Sequence, residues 1–105
     1  MSEIDNRKKA FENKFAHDEE LKFKIASRRR KMLGLWASEI MGLEDDKSLE
    51  YAMTIVNYGL DNKDSGAVIK KILNDITSKG VAITEQQVRL KNDEFEELAT
   101  RQITS

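Results

Sequence analysis

The sequence predicts an all-α fold: a four-helix bundle preceded by a mobile amphipathic N-terminal helical arm. Three observations carry that reading. Apolar residues recur at three- and four-residue spacing in four successive segments between residues 21 and 99. No proline occurs in the 105 residues, and the five glycines fall at the ends of these segments, apart from Gly34. The leading segment keeps the helical period but carries only three large apolar side chains. The resulting division is an arm at 1–17 and a bundle domain at 18–105.

In the arm, Ile4, Phe11 and Phe15 stand at i, i+7 and i+11 on one stripe. Glu3 with Arg7 and Asp5 with Lys9 are i,i+4 acid-to-base pairs, and Ser2 with Asp5 forms a weak capping box. Isolated helices shorter than roughly 12–15 residues are marginal in water. The segment favours helix yet has too little apolar surface to stay docked on its own body, so it is expected to order fully on a partner, and function is placed there.

The first body helix is expected from an N-cap at Asp18 to about Gly42, with Leu21, Ile25, Met32, Trp36 and Ile40 as its stripe and Leu33 widening it. At 1.5 Å per residue it would be about 36 Å long, the spine of the domain. Gly34 inside it costs roughly 1 kcal/mol, which implies close approach of another helix beside Trp36. The second helix, about 46–58, carries Leu49, Ala52, Met53, Val56 and Leu60, with Gly59 as its C′ residue. The third, about 65–79, carries Val68, Ile69, Ile72, Leu73 and Ile76 and stops at Gly80. Its β-branched content also permits a strand, but the period is nearer 3.6 than 2. The fourth starts at a capping box, Thr84 with Gln87, reinforced by an Ile83–Val88 hydrophobic staple, and continues through Phe95, Leu98 and Ala99. The expected core is Leu33, Trp36, Ile40, Met53, Val56, Ile72, Ile76, Val88 and Phe95, with the Trp36 indole N–H bonded to a neighbouring helix.

Composition narrows function. With 39% hydrophobic and 35% charged residues and a net charge of −1, one small domain with a modest core is expected, and no global field draws the chain to nucleic acid or membrane. The charge is uneven: residues 1–31 hold ten basic and six acidic side chains, and the remainder eight and thirteen. The absence of Cys removes disulfides, thiolate chemistry and cysteine metal sites. No apolar run approaches the roughly 20 residues that span a bilayer, and the N-terminus is charged rather than signal-like, so a soluble cytoplasmic protein is expected. His17 lacks a nucleophile, a second His or a Cys, and Glu94, Glu96 and Glu97 read as a solvated acidic face. No catalytic residue, metal or cofactor is therefore expected. Arg28-Arg29-Arg30-Lys31 is a basic run without interleaved aromatics. It reads as the solvated flank of a helix, with contact to a nucleotide phosphate or an acidic protein surface as the functional alternative. A small nucleotide-sensing module, or a nucleic-acid-associated helical protein, stays open on these grounds.

Longer stretches carry a family resemblance. Lys14-Phe15-Ala16-His17-Asp18-Glu19-Glu20-Leu21, Phe23-Lys24, Arg28-Arg29 and Leu33-Gly34-Leu35-Trp36-Ala37-Ser38-Glu39-Ile40-Met41-Gly42 strongly resemble the zeta subunit of alphaproteobacterial F-type ATP synthases. Gly80-Val81-Ala82-Ile83-Thr84-Glu85-Gln86-Gln87-Val88-Arg89 is similar to that family too, so the likeness covers essentially the whole chain. Leu43 to Lys47 and Asp61 to Asp64 look like variable loops. The resemblance implies a four-helix bundle with a mobile arm that inhibits ATP hydrolysis by the catalytic head. The arm would insert at a catalytic interface between the alternating large subunits, near the central rotor stalk, and block rotation. On this chain the arm falls on Ser2 to about Phe15, with Phe11 and Phe15 as apolar anchors beside Ile4 and with Arg7, Lys8, Lys9 and Lys14 as polar contacts. The hinge falls at Ala16-His17-Asp18. The implied partner is the catalytic head. Weak ATP or ADP binding at the Arg28 to Lys31 run, no nucleic acid, no membrane insertion and a monomer when free are expected from the residues themselves. The implied location is cytoplasmic, peripheral to the inner membrane through the enzyme.

Overall fold

Four helices follow one another through short connections: α1 (Glu3–Ile40), α2 (Asp45–Asp61), α3 (Ser65–Ser78) and α4 (Glu85–Thr104). The computed structural model describes the backbone of residues 3–104 and the side chains of residues 17–104. No strand occurs among the described residues, and the β-branched 68–76 segment is helical.

Helix α1 is longer than the expected spine. It passes through Ala16, His17 and Asp18 without a break, so Asp18 lies inside the helix and is not its N-cap. Nothing between Lys14 and Leu21 is a helix breaker: Ala16, Glu19 and Glu20 are good formers, and His or Asp costs only a few tenths of a kcal/mol more. Its 38 residues, at 1.5 Å each, account for most of the 65 Å long axis of a molecule only 26 × 25 Å across. The other end stops at Gly42 in the left-handed region (φ 76°), where Leu43 N–H returns to Ser38 O at 2.9 Å.

The remaining ends follow local chemistry. Helix α2 starts at an extended Glu44 with no side-chain cap, but Asp45 and Asp46 place negative charge in its first turn. Gly59 is not its C′ residue as expected. The helix continues to Asp61, and Asn62 closes it by donating its backbone N–H (2.9 Å) and its side-chain amide (3.1 Å) to Tyr58 O. The Asp64 carboxylate accepts from Gly66 N–H at 3.1 Å to open α3, which ends before Gly80 at φ 81°. The capping box of α4 forms as expected: Thr84 N–H donates to Gln87 Oε1 at 2.9 Å, and Gln87 N–H donates to Thr84 Oγ1 at 3.2 Å.

The helices run up, down, up and down. Helices α1 and α2 meet antiparallel along a seam of small residues, pairing Ser38 with Ser48, Gly34 with Ala52 and Arg30 with Gly59. A Cβ on Gly34 would stand 2.7 Å from Ala52 Cα, which is the close approach the glycine implied. Tyr51 donates to Asp75 at 2.8 Å, and Lys71 Nζ sits 5.4 Å from the centre of the Tyr58 ring, joining α2 to α3. Helix α4 lies antiparallel to α1, with Arg28 donating to Gln102 at 3.0 Å and Arg29 paired with Glu96. Between them Leu33, Ala37, Ile55, Val68, Ile69, Ile72, Ile76 and Val88 close the core. Each large aliphatic group fully buried there is worth about 1.5–3 kcal/mol.

The small-residue seam also corrects the expected core. It turns Ala52, Ile55 and Gly59 inward, so α2 is rotated from the expected stripe. Leu49, Met53 and Leu60 are exposed, and Val56 is half-buried. Trp36, Ile40 and Phe95 pack against the core but stay half-buried. The Trp36 indole N–H has no hydrogen-bond partner among the described residues, and a half-exposed ring can reach solvent instead.

Candidate partner-binding surface

The expected partner contacts Ile4, Arg7, Lys8, Lys9, Phe11, Lys14 and Phe15 lie outside the residues whose side chains are described. What the structure describes is their root. From His17 to Lys24 every residue of α1 is exposed except the half-buried Leu21. Glu19 with Lys22 (3.6 Å) and Glu20 with Lys24 (3.1 Å) pair along this stretch, contacts worth a few tenths of a kcal/mol each on an exposed helix.

The basic run wraps the helix, so its four members face different surroundings. Arg28 reaches Gln102, and Arg29 is bound to Glu96, both on α4. Arg30 is buried, 6% exposed, and its side chain lies across the backbone of α2 at Gly59. A Cβ there would overlap Nε and Cδ of the arginine. Lys31 is exposed. Burial, and then the neighbouring charge of Arg29, lowers the Arg30 pKa from its usual value. The run is therefore divided between two helix contacts, a buried position and solvent rather than gathered on one phosphate-sized spot.

Apolar surface collects beside this root. Phe23, between Lys22 and Lys24, is 56% exposed and had no place in the expected core. Its position off the Leu21–Ile25 stripe was the available signal. One depression of about 600 Å³ runs between α1, α2 and α4, where Phe23, Met53 and Ile103 meet Lys24, Arg28 and Lys31. A second, of about 510 Å³, lies between α1 and the end of α2, where Phe23 and Leu60 meet Lys22, Arg30 and Lys63. At the far end of the bundle Trp36, Ile40, Ile83 and the exposed Leu90 line a third, of about 460 Å³.

None of these assembles catalytic chemistry. Glu94 pairs with Lys91 at 2.9 Å, Glu97 with Arg101 at 2.8 Å and Glu96 with Arg29. His17 is exposed on α1. No group of three His, Cys, Asp or Glu side chains among the described residues could hold a metal ion. The model of the ATPase inhibitor subunit zeta family matches residues 1–102. This chain belongs to the ATPase inhibitor zeta family. No curated protein matches it. A zeta chain is a regulatory inhibitor subunit of ATP synthase and not an enzyme, so its working surface is one that meets another protein. Among the described residues no helix of this zeta chain is long and apolar enough to cross a membrane.

Proposed function

We propose that this chain inhibits ATP hydrolysis by inserting its N-terminal amphipathic helix, residues 1–17, at a catalytic interface of the ATP synthase head. There, between the alternating large subunits and beside the central rotor stalk, the helix blocks rotation. The bundle, residues 18–105, acts as the handle. Phe11 and Phe15 are the apolar anchors with Ile4 beside them, and Arg7, Lys8, Lys9 and Lys14 meet the polar rim. The binding mode is helix-in-groove, in which an apolar stripe at i, i+4 and i+7 spacing enters a cleft. The observation that carries the reading is the single helix α1: it is buried on the bundle from Arg30 onward and runs back to Glu3 through an exposed stretch at 17–24.

Removing residues 1–14 tests it. The core cluster among the described residues begins at Leu33, so the melting temperature of the shortened chain should stay within a few degrees of the full one. Inhibition of ATP hydrolysis should disappear. A shortened chain that still inhibits fully would place the activity in the bundle.

A further inference from the structure

Arg30 is a buried cation without an anion. Its residue is more than nine-tenths covered, its Nε is sealed from solvent, and no hydrogen bond or ion pair reaches its side chain among the described residues. Its less buried neighbour Arg29 also has a sealed, unmet Nε, but the Arg29 guanidinium is held by Glu96. Burying a charge costs several kcal/mol unless it is paired, and buried polar groups left unmet in a native structure ask for a missing partner. The chain has nevertheless made room for this one. Gly59 stands in the last turn of α2, and any Cβ there would collide with the Arg30 side chain.

The depression that Arg30 lines has a definite chemistry. Lys22 and Lys63 add positive charge, Phe23 and Leu60 supply exposed apolar walls, and Glu19 stands at one end. A nearby carboxylate and apolar walls disfavour a free, multiply charged anion and favour a single negative charge carried on an apolar body.

We propose that the slot between α1 and the end of α2 is a second docking point, which accepts an acidic side chain of a partner polypeptide onto the Arg30 guanidinium while apolar neighbours of that acid lie on Phe23 and Leu60. The proposal rests on the inhibitor reading only for the identity of the partner, which is then the enzyme head that holds the arm. Phe23 stands two turns of α1 from Phe15, so arm and slot can be engaged at once. The pair would be charge-assisted and bidentate, the geometry in which arginine is strongest.

Arg30→Met separates a docking arginine from a structural one. A structural arginine loses stability on that change; an unpaired buried one does not, because an apolar side chain of similar length replaces an uncompensated charge. The free full-length variant should therefore melt at or above the temperature of the parent chain. Its affinity for the ATP synthase head should fall roughly tenfold or more, the scale of a truncated buried charge pair. Unchanged affinity overturns the proposal. Should Arg30→Met fail to fold, Leu60→Glu at an exposed position sets a competing carboxylate in the slot and should weaken binding while melting stays the same or rises; parent-like binding again overturns it. A measurement without the enzyme keeps the result apart from the fate of the arm. The peptide acetyl-Leu-Glu-Leu-Leu-amide, its Gln counterpart and inorganic phosphate are each titrated into the full chain while the Arg30 Nε–H resonance is followed. Movement with the Glu peptide alone supports the slot, even where Phe11→Ala leaves inhibition intact and sinks the arm. No movement with the Glu peptide, or equal movement with phosphate or the Gln peptide, removes it.

Discussion

Gly34 and Gly59 both lie on the α1–α2 seam, and both are clamped, but by different atoms. A Cβ at Gly34 meets the backbone of Ala52, so the two helices must part to admit it. A Cβ at Gly59 meets the outer part of the Arg30 side chain, which can swing away. Gly34→Ala is expected to destabilise by about 1–3 kcal/mol despite the gain in helix propensity, as overpacked cores do. Gly59→Ala should cost clearly less. Denaturant unfolding of the two variants checks the order, and equal losses would mean that the Arg30 side chain is as fixed as backbone. Tyr51 offers a second test. Burial first, and then its hydrogen bond to Asp75 and the charge of that carboxylate, push its phenol above the ordinary tyrosine value. The folded chain thus favours the neutral phenol. The stabilisation is whole below the unfolded value near pH ~10 and is lost as pH rises past it towards the higher folded value. Tyr51→Phe should cost about 1 kcal/mol at neutral pH, and the gap to the parent should narrow above about pH 10. A gap that is constant with pH would show that the hydroxyl is not held neutral by the fold.

At the scale of the helix, what could be read from the sequence was whatever local chemistry decides. The Thr84–Gln87 capping box, the glycine stops at Gly42 and Gly80 and the helical period of 68–76 all depend on neighbours within a few residues, and all appear as expected. The face that α2 turns inward does not. Of the expected stripe Ala52 is buried and Val56 half-buried, but Leu49, Met53 and Leu60 outweigh Gly59 in apolar area, so periodicity centres the inward face too far to one side and misses Ile55. The choice is made by backbone approach at Gly34, Ala52 and Gly59, which only the partner helix reveals. The Arg28–Lys31 run was visible as charge, but which member is sealed and which is paired depends on α2 and α4. The Gly59 that receives Arg30 looks like a helix end in the sequence for the same reason. For the arm, interface energy concentrates in a few buried aromatic anchors. Phe11→Ala and Phe15→Ala should each weaken inhibition by about 2 kcal/mol or more, and Lys8→Ala or Lys9→Ala by under about 1 kcal/mol. The check is ATPase rate against inhibitor concentration at two ionic strengths. Larger losses from the lysine changes, erased by salt, would make the contact electrostatic and end the helix-in-groove account.

For the molecule as a whole, the feature with the widest reach is that wall and arm are one uninterrupted helix. Starting a helix is the unfavourable step, because three residues must be fixed for the first hydrogen bond, whereas each further residue adds its own. The bundle has already taken that step for α1 from Arg30 onward. Towards its N-terminus the helix only has to propagate, through a stretch without glycine or proline. Under the proposed mechanism, a partner that gripped Phe11 and Phe15 would meet a nucleated end, and less of its contact energy would be consumed in ordering the segment. A free peptide of residues 1–17 has lost that template and must nucleate alone. It should inhibit ATP hydrolysis more weakly than the full chain at equal concentration, and a peptide extended to residue 31 should not recover the difference unless it is helical in solution by circular dichroism. Equal potency of the short peptide and the full chain would mean that the bundle contributes nothing to the readiness of the arm. If the tip inhibits as proposed, the four helices are not ballast behind it; they are the nucleus from which it is wound.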